Sequence, residues 1–193
     1  MITFKNFILE GKEKAVVFTF GRFSPPTTGH GKLIKKVMSV AKSERGMPMV
    51  FPSKTEDNKK NPLTYRTKVK VLRDVFGSII NTSMDIKTPF DVLDYLNKKK
   101  FSKVVFVVGS DRVVEFKKNM SKYVESDLTN IKDFSVASAG DRDPDAEGVK
   151  GISGSKMREY VKKDKFKKFA SGLMTKNSKL AKQVFKELQK RMK

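Results

Sequence analysis

The sequence predicts an α/β fold, a Rossmann-like doubly wound parallel sheet of about five strands with a basic helical C-terminal extension. Three observations carry this expectation. Short runs of β-branched and aromatic residues alternate with segments whose apolar residues recur every three or four positions, as in successive βα units. The strongest runs are apolar along their whole length, as in strands covered on both faces. Gly, Pro and Thr punctuate the chain where the first strand gives way to the first helix.

The elements follow in order. Residues 15–20 (AVVFTF) read as the first buried strand, and 21–29 as a loop. Leu33, Ile34, Val37, Met38 and Ala41 then recur at helical spacing. Residues 47–51 form a second strand, and 64–76 a helix with Val69, Leu72, Val75 and Phe76 inward. Residues 79–84 are a weaker third strand. Thr88 followed by Pro89 is an N-cap with Pro at the first helical position, and Phe90, Leu93 and Leu96 continue that helix. Residues 103–108 (KVVFVV) are the strongest strand, ending in Gly109-Ser110-Asp111, and 133–138 are the fifth. In such sheets ligands bind beyond the carboxyl ends of the strands, so the loops 21–30, 52–61, 109–112 and 140–151 are the places to look.

Composition bounds the function. The 193 residues suit one domain with a sizeable core, and 38% hydrophobic residues with 15 Phe argue against a wholly disordered chain. Cysteine is absent, which removes disulfides, Cys-ligated metals and thiol nucleophiles and agrees with a reducing, cytoplasmic setting. No stretch is apolar enough to span a membrane, and residues 1–10 lack the form of a secretory signal, so a soluble protein with no membrane partner is expected. The formal net charge of +21 calls for an anionic partner, nucleotide or nucleic acid, although a Lys-rich composition alone also produces such an excess. From Lys156 to Lys193, fourteen Lys and Arg face three acids.

Two segments carry chemistry. The first runs from Gly21 to His30 (GRFSPPTTGH): Gly and two Pro fix a tight turn, and a helix starting near Thr28 presents unpaired N–H groups, a ready anion site. His30, the single histidine, stands in that helix's first turn, able to donate to a phosphate oxygen. The second is Gly151 to Arg158 (GISGSKMR), with Ser153 as N-cap, Ser155 as a further hydroxyl and Arg158 one to two turns on. Two cradles at different strand ends suit a polyphosphate held from both sides.

These segments resemble the signatures of the HxGH-type nucleotidyltransferase superfamily. Residues 21–30 match G-x-F-x-P-x-[HT]-x-G-H, and 152–158 match I-S-x-[ST]-x-x-R, in the right order. Thr27 replaces the first His, the variant found in phosphopantetheine adenylyltransferases and some nicotinamide mononucleotide (NMN) adenylyltransferases. Gly21-Arg22-Phe23 and Asn61-Pro62-Leu63-Thr64 with Arg66 are similar to the archaeal-type NMN adenylyltransferases. The resemblance implies transfer of an adenylyl group from ATP to NMN, with release of pyrophosphate. Cytidylyl or adenylyl transfer to phosphopantetheine or a sugar or polyol phosphate is the alternative, as is a basic nucleic-acid-binding protein on the same fold. It further implies His30, Thr27 and Arg158 as catalytic residues. The implied nucleotide-binding set adds Gly21, Arg22, Phe23, Gly29, Asp111, Ile152, Ser153 and Ser155. Asp111 also reads as an N-cap, and Lys32 and Lys54 are candidate phosphate contacts among many surface lysines. Mg²⁺ is expected to arrive with ATP, since no carboxylate cluster suggests a protein cage.

The implied organisation is an N-terminal segment 1–13, a nucleotidyltransferase domain 14–162 and basic helices 163–193 packed on it. Self-association into a homo-oligomer is compatible with it. In the N-terminal segment Phe4, Phe7 and Ile8 share a helical face, which reads as a short amphipathic helix. Residues 1–10 also resemble the capsid-targeting peptides of phage internal head proteins, with Ile8-Leu9-Glu10 as the cleavage site. That resemblance implies a large tailed phage as source and packaging in the virion.

Overall fold

The computed structural model describes residues 14–82, 86–140 and 152–193. The N-terminal segment and most of the 140–151 loop therefore lie outside the described residues. The order is β1 (Ala15–Gly21), α1 (Thr28–Ser43), β2 (Met47–Pro52), α2 (Tyr65–Phe76), α3 (Pro89–Lys98), β3 (Lys103–Val108), α4 (Val113–Asp127), β4 (Asp133–Ser138), α5 (Gly154–Lys162), α6 (Phe166–Gly172) and α7 (Ser178–Arg191). The strands pair in parallel in the order β2-β1-β3-β4, with Phe18 opposite Met49 on one side and Phe106 on the other. The doubly wound parallel sheet is thus present, with four strands among the described residues in place of about five.

The missing strand is the 79–84 segment. Gly77–Ile79 is a single 3-10 turn, and Ile80 makes one isolated parallel bridge to Val50. Ile80 is buried beside β2, but the polar Asn81 and Thr82 follow it and continue no ladder. Residues 83–85 lie outside the described set.

Helices cover both faces because alternate strand residues are apolar on both. Val16, Phe18, Val104 and Phe106 pack under α3 and α4. Val17, Val105 and Val107 meet Val37 and Ala41 of α1. A third cluster joins Val50, Val71 and Leu72 to Met157 of α5, Phe169 of α6 and Leu180, Val184 and Leu188 of α7. The helices beyond residue 162 therefore supply core. Gly172 shows how close the fit is: a Cβ there would stand 2.6 Å from Met157 Sδ and 2.8 Å from Ile152 Cδ1.

Two inward faces differ from expectation. In α2 the buried positions are Thr67, Lys68, Val71 and Leu72, while Val75 is 42% exposed and Val69 and Phe76 are half-buried. A lysine on the buried face hides that face from any pattern of hydrophobicity. In α1, Met38 is exposed, because Ile34, Val37 and Ala41 already complete the stripe.

Candidate active site

At the carboxyl end of β1 the chain turns sharply. Phe23 adopts a left-handed φ of 46°, which costs about 1–2 kcal/mol in a non-glycine residue, and its fully buried ring offsets that cost. That ring lies over Gly21, where a Cβ would stand 3.0 Å from Phe23 Cζ, a close contact that glycine avoids. Ser24 is buried beneath the turn and binds both ways. Its Oγ accepts from the Leu63 N–H at 3.1 Å, and its carbonyl accepts from Arg158 Nη1 at 2.8 Å.

Thr27 caps α1, and His30 occupies the third helical position of a reciprocal capping box. The His30 N–H donates to Thr27 Oγ1 at 3.3 Å, and the Thr27 N–H donates to His30 Nδ1 at 3.0 Å. A backbone N–H pointing at Nδ1 requires a lone pair there, so the neutral ring carries its proton on Nε2. The box thereby fixes both the direction and the tautomer of the imidazole, with Phe23 edge-on at 5.0 Å.

The second cradle is the start of α5. Ser153 is its N-cap, accepting from the Lys156 N–H at 3.1 Å. Arg158 is half-buried, reaching Ser24 with Nη1 and Ser155 Oγ with Nη2 at 3.0 Å. Burial, and then the nearby Arg22 guanidinium, hold Arg158 below its ordinary pKa, with Asp57 opposing. Two guanidiniums kept together against their mutual repulsion make a strong anion trap.

The loop after β2 supplies a third cation that sequence reasoning missed, Lys60. Asp57 folds this loop by accepting from the Lys59 N–H at 2.8 Å and from Asn61 Nδ2 at 2.9 Å. Those bonds, led by the one from the Lys60 N–H, pull its carboxyl down to about 2. The loop is anchored to the C-terminal helix by Arg191 on Glu56 at 2.9 Å. Beneath it, fully buried Lys68 donates to the Ser53 carbonyl at 2.7 Å, while the Ser53 N–H donates to the Gly21 carbonyl at 2.8 Å. Burial lowers the Lys68 ammonium to about 8.

Together these elements enclose a hollow of about 280 Å³ whose wall carries Arg22, Lys60, Arg158, His30 and the Ser153–Ser155 turn, with no carboxylate among the described residues. A second hollow of about 600 Å³ shares Ser155 and Arg158 with it and adds Lys59 and Lys162. Of the residues expected from sequence, Arg22, His30, Ser153, Ser155 and Arg158 meet here, with Gly29 in the first turn of α1 and Gly21 at the strand end.

Expectations change for six residues. Thr27 is 1% exposed with its hydroxyl against His30, so it positions the imidazole. Phe23 reaches the wall, but its ring is core and supports the turn from below. Ile152 is buried against Met157 and Gly172, because the first residue before the cap packs inward. Asp111 sits in a 3-10 turn after β3, off the cavity wall, and the cap position of α4 is Arg112. Lys32 is exposed and Lys54 lies over the Tyr65 ring, both away from the wall. Ser24, Lys60 and Lys68 carry no motif signal, since each is defined by what folds against it.

A parallel α/β sheet with two helix N-termini and three cations converging beyond its first strand makes a polyphosphate site, and the family match identifies it as that of a nucleotidyltransferase. The cytidylyltransferase-like family model matches residues 18–176, and the chain belongs to that family. Among solved structures it is similar in fold to a candidate nicotinate-nucleotide adenylyltransferase from Vibrio parahaemolyticus, at 14% identity over 89% of this chain and 98% of that one, with a TM-score of 0.56. Plasmodium falciparum nicotinic acid mononucleotide adenylyltransferase complexed with NaAD is 13% identical over 90% of this chain and 95% of its own, with a TM-score of 0.58. The same enzyme complexed with APC gives a TM-score of 0.57. A search of curated proteins by sequence finds no match.

Proposed function

We propose that the protein transfers an adenylyl group from ATP to a pyridine mononucleotide, with NMN as the first acceptor to test. The observation that carries this reading is the fixed His30 imidazole facing a cavity whose described wall holds three cations. The acceptor's phosphate oxygen attacks the α-phosphorus of ATP in line, the bond to the β-phosphate oxygen breaks, and pyrophosphate leaves. No protein nucleophile is needed, and the work is positioning and charge neutralisation. His30 Nε2–H donates to an α-phosphate oxygen as charge develops there. Arg22, Lys60, Arg158 and the α5 N-terminus hold the β- and γ-phosphates.

Mg²⁺ fits as an ion carried by the nucleotide. Among the described residues no three His, Asp or Glu side chains cluster to hold one, so its ligands would be phosphate oxygens and water. Bound in that way it would neutralise charge on the leaving pyrophosphate.

The pyridine acceptor is supported by the Gly21-Arg22-Phe23 and Asn61–Thr64 resemblances and by the substrates named for the structural neighbours. The cytidylyltransferase-like family match keeps CTP and other phosphorylated acceptors in the comparison. The test is pyrophosphate release with each NTP against NMN, nicotinate mononucleotide, phosphopantetheine and sugar or polyol phosphates. Turnover with ATP and a pyridine mononucleotide alone is expected. Turnover with another pair reassigns the substrate, and none at all removes the reading.

A further inference from the structure

Two rows of exposed cations lie off the cavity wall. In α7, Lys179, Lys182, Lys186 and Lys190 are all exposed. At about 100° per residue they fall within an arc of about 80°, on the side opposite buried Leu180, Ala181, Val184, Phe185 and Leu188. In α2, Arg66, Lys70 and Arg73 are exposed and form a second row, opposite buried Thr67, Lys68, Val71 and Leu72. Hydrogen bonds set these helices side by side and antiparallel: Thr175 with Asp74, Lys70 with Gln183 at 3.0 Å, and Thr67 with Glu187 at 2.6 Å.

The acids that could cancel these rows are turned elsewhere. Asp74 accepts from Thr175, and Glu187 accepts from Thr64 and Thr67 at the start of α2. Among the described residues no ion pair joins either row to a carboxylate. The cations of each row repeat at about 5–6 Å, and the longer row spans about 16 Å. No aromatic or aliphatic side chain is exposed within the rows, and the exposed large apolar residues Met38, Val75 and Val114 lie off them. A membrane surface would want an apolar face beside the charge, and base reading would want stacking side chains or free amides, whereas the amide between the rows, Gln183, is engaged by Lys70. Repeated cations with neither fit a repeated phosphate.

We propose that the paired rows of α2 and α7 bind the phosphate backbone of nucleic acid without reading its sequence. The inference is independent of the catalytic reading, because these residues do not line the cavity.

The test is fluorescence anisotropy of a labelled DNA duplex of about 25 base pairs in KCl from 50 to 300 mM. The wild-type chain is compared with a K70Q/K182Q/K186Q/K190Q variant. The wild type should bind with a steep salt dependence. Each phosphate that the variant leaves unneutralised should flatten the log–log slope by about 0.9, so its slope should be shallower by about 3 to 4. Thermal unfolding and pyrophosphate release by the variant should match the wild type, and two duplexes of unrelated sequence should bind alike. Absence of wild-type binding at 50 mM KCl, an unchanged slope in the variant, or displacement of the duplex by millimolar ATP would overturn the proposal. So would binding to phosphatidylserine vesicles in place of the duplex.

Discussion

The two helix N-termini that meet at the cavity are built to different standards. The start of α1 is locked from every side: Thr27 is buried, Phe23 fills the space beneath, and His30 is both a member of the cap and a wall of the cavity. The start of α5 is open, with Ser155 exposed and Arg158 tied to the first loop through the Ser24 carbonyl. One donor aimed at one place is what charge appearing only in a transition state requires. An exposed hydroxyl and a guanidinium suit a charge already present in the ground state. The difference teaches that the α1 terminus should govern turnover and the α5 terminus affinity.

The largest effect that could break this division is at His30. His30→Ala should lower kcat by about 10²- to 10³-fold with little change in ATP affinity, measured by steady-state kinetics beside calorimetry. A variant that keeps its turnover but loses ATP affinity would invert the comparison.

The support beneath the α1 loop is probed through Lys68, whose folded pKa of about 8 lies below the ordinary 10.5. Below pH 8 the amine is protonated in both states and its burial penalty is fully present. As pH rises from 8 towards 10.5 the folded state releases the proton first, so stability rises, by up to about 3 kcal/mol. Urea unfolding of wild type across that window should show the rise. Lys68→Met should flatten it, and parallel pH profiles for the two proteins would show that Lys68 does not titrate in this way.

Arg158→Ala should weaken ATP binding at least tenfold, about 1.5–3 kcal/mol for a missing charged hydrogen bond, with kcat largely kept. Arg158→Lys should recover part of the affinity, because it restores the charge but not the fork that spans Ser24 and Ser155. A fall in kcat without a change in affinity would move Arg158 to the chemical step.

The smallest effect sharpens the comparison. Thr27→Val removes the cap, for about 1 kcal/mol and a melting temperature lower by about 2–4 °C, yet leaves the Thr27 N–H to His30 Nδ1 bond in place. Turnover should fall less than tenfold, and Thr27→Ser should restore it. A loss as large as that of His30→Ala would give the hydroxyl a direct part in the reaction.

The sequence by itself determined the four paired strands and most helix starts. Continuous apolar runs can be buried only as covered strands, and caps such as Thr88 and Ser153 act on N–H groups three residues away. It also marked His30 and Arg158, whose motifs are local. Tertiary structure decided what depends on partners distant in the chain. Arg158 finds Ser24 across 134 positions, Lys60 is carried to the wall by a loop tied to Arg191, and Lys68 is buried because the Ser53 carbonyl receives it. It also decided that Thr27 and Ile152 face inward and that Asp111 stays off the wall. Periodicity reports which side chains avoid water. It cannot report which polar groups will be sheltered from water together, because that depends on partners supplied only when remote segments pack.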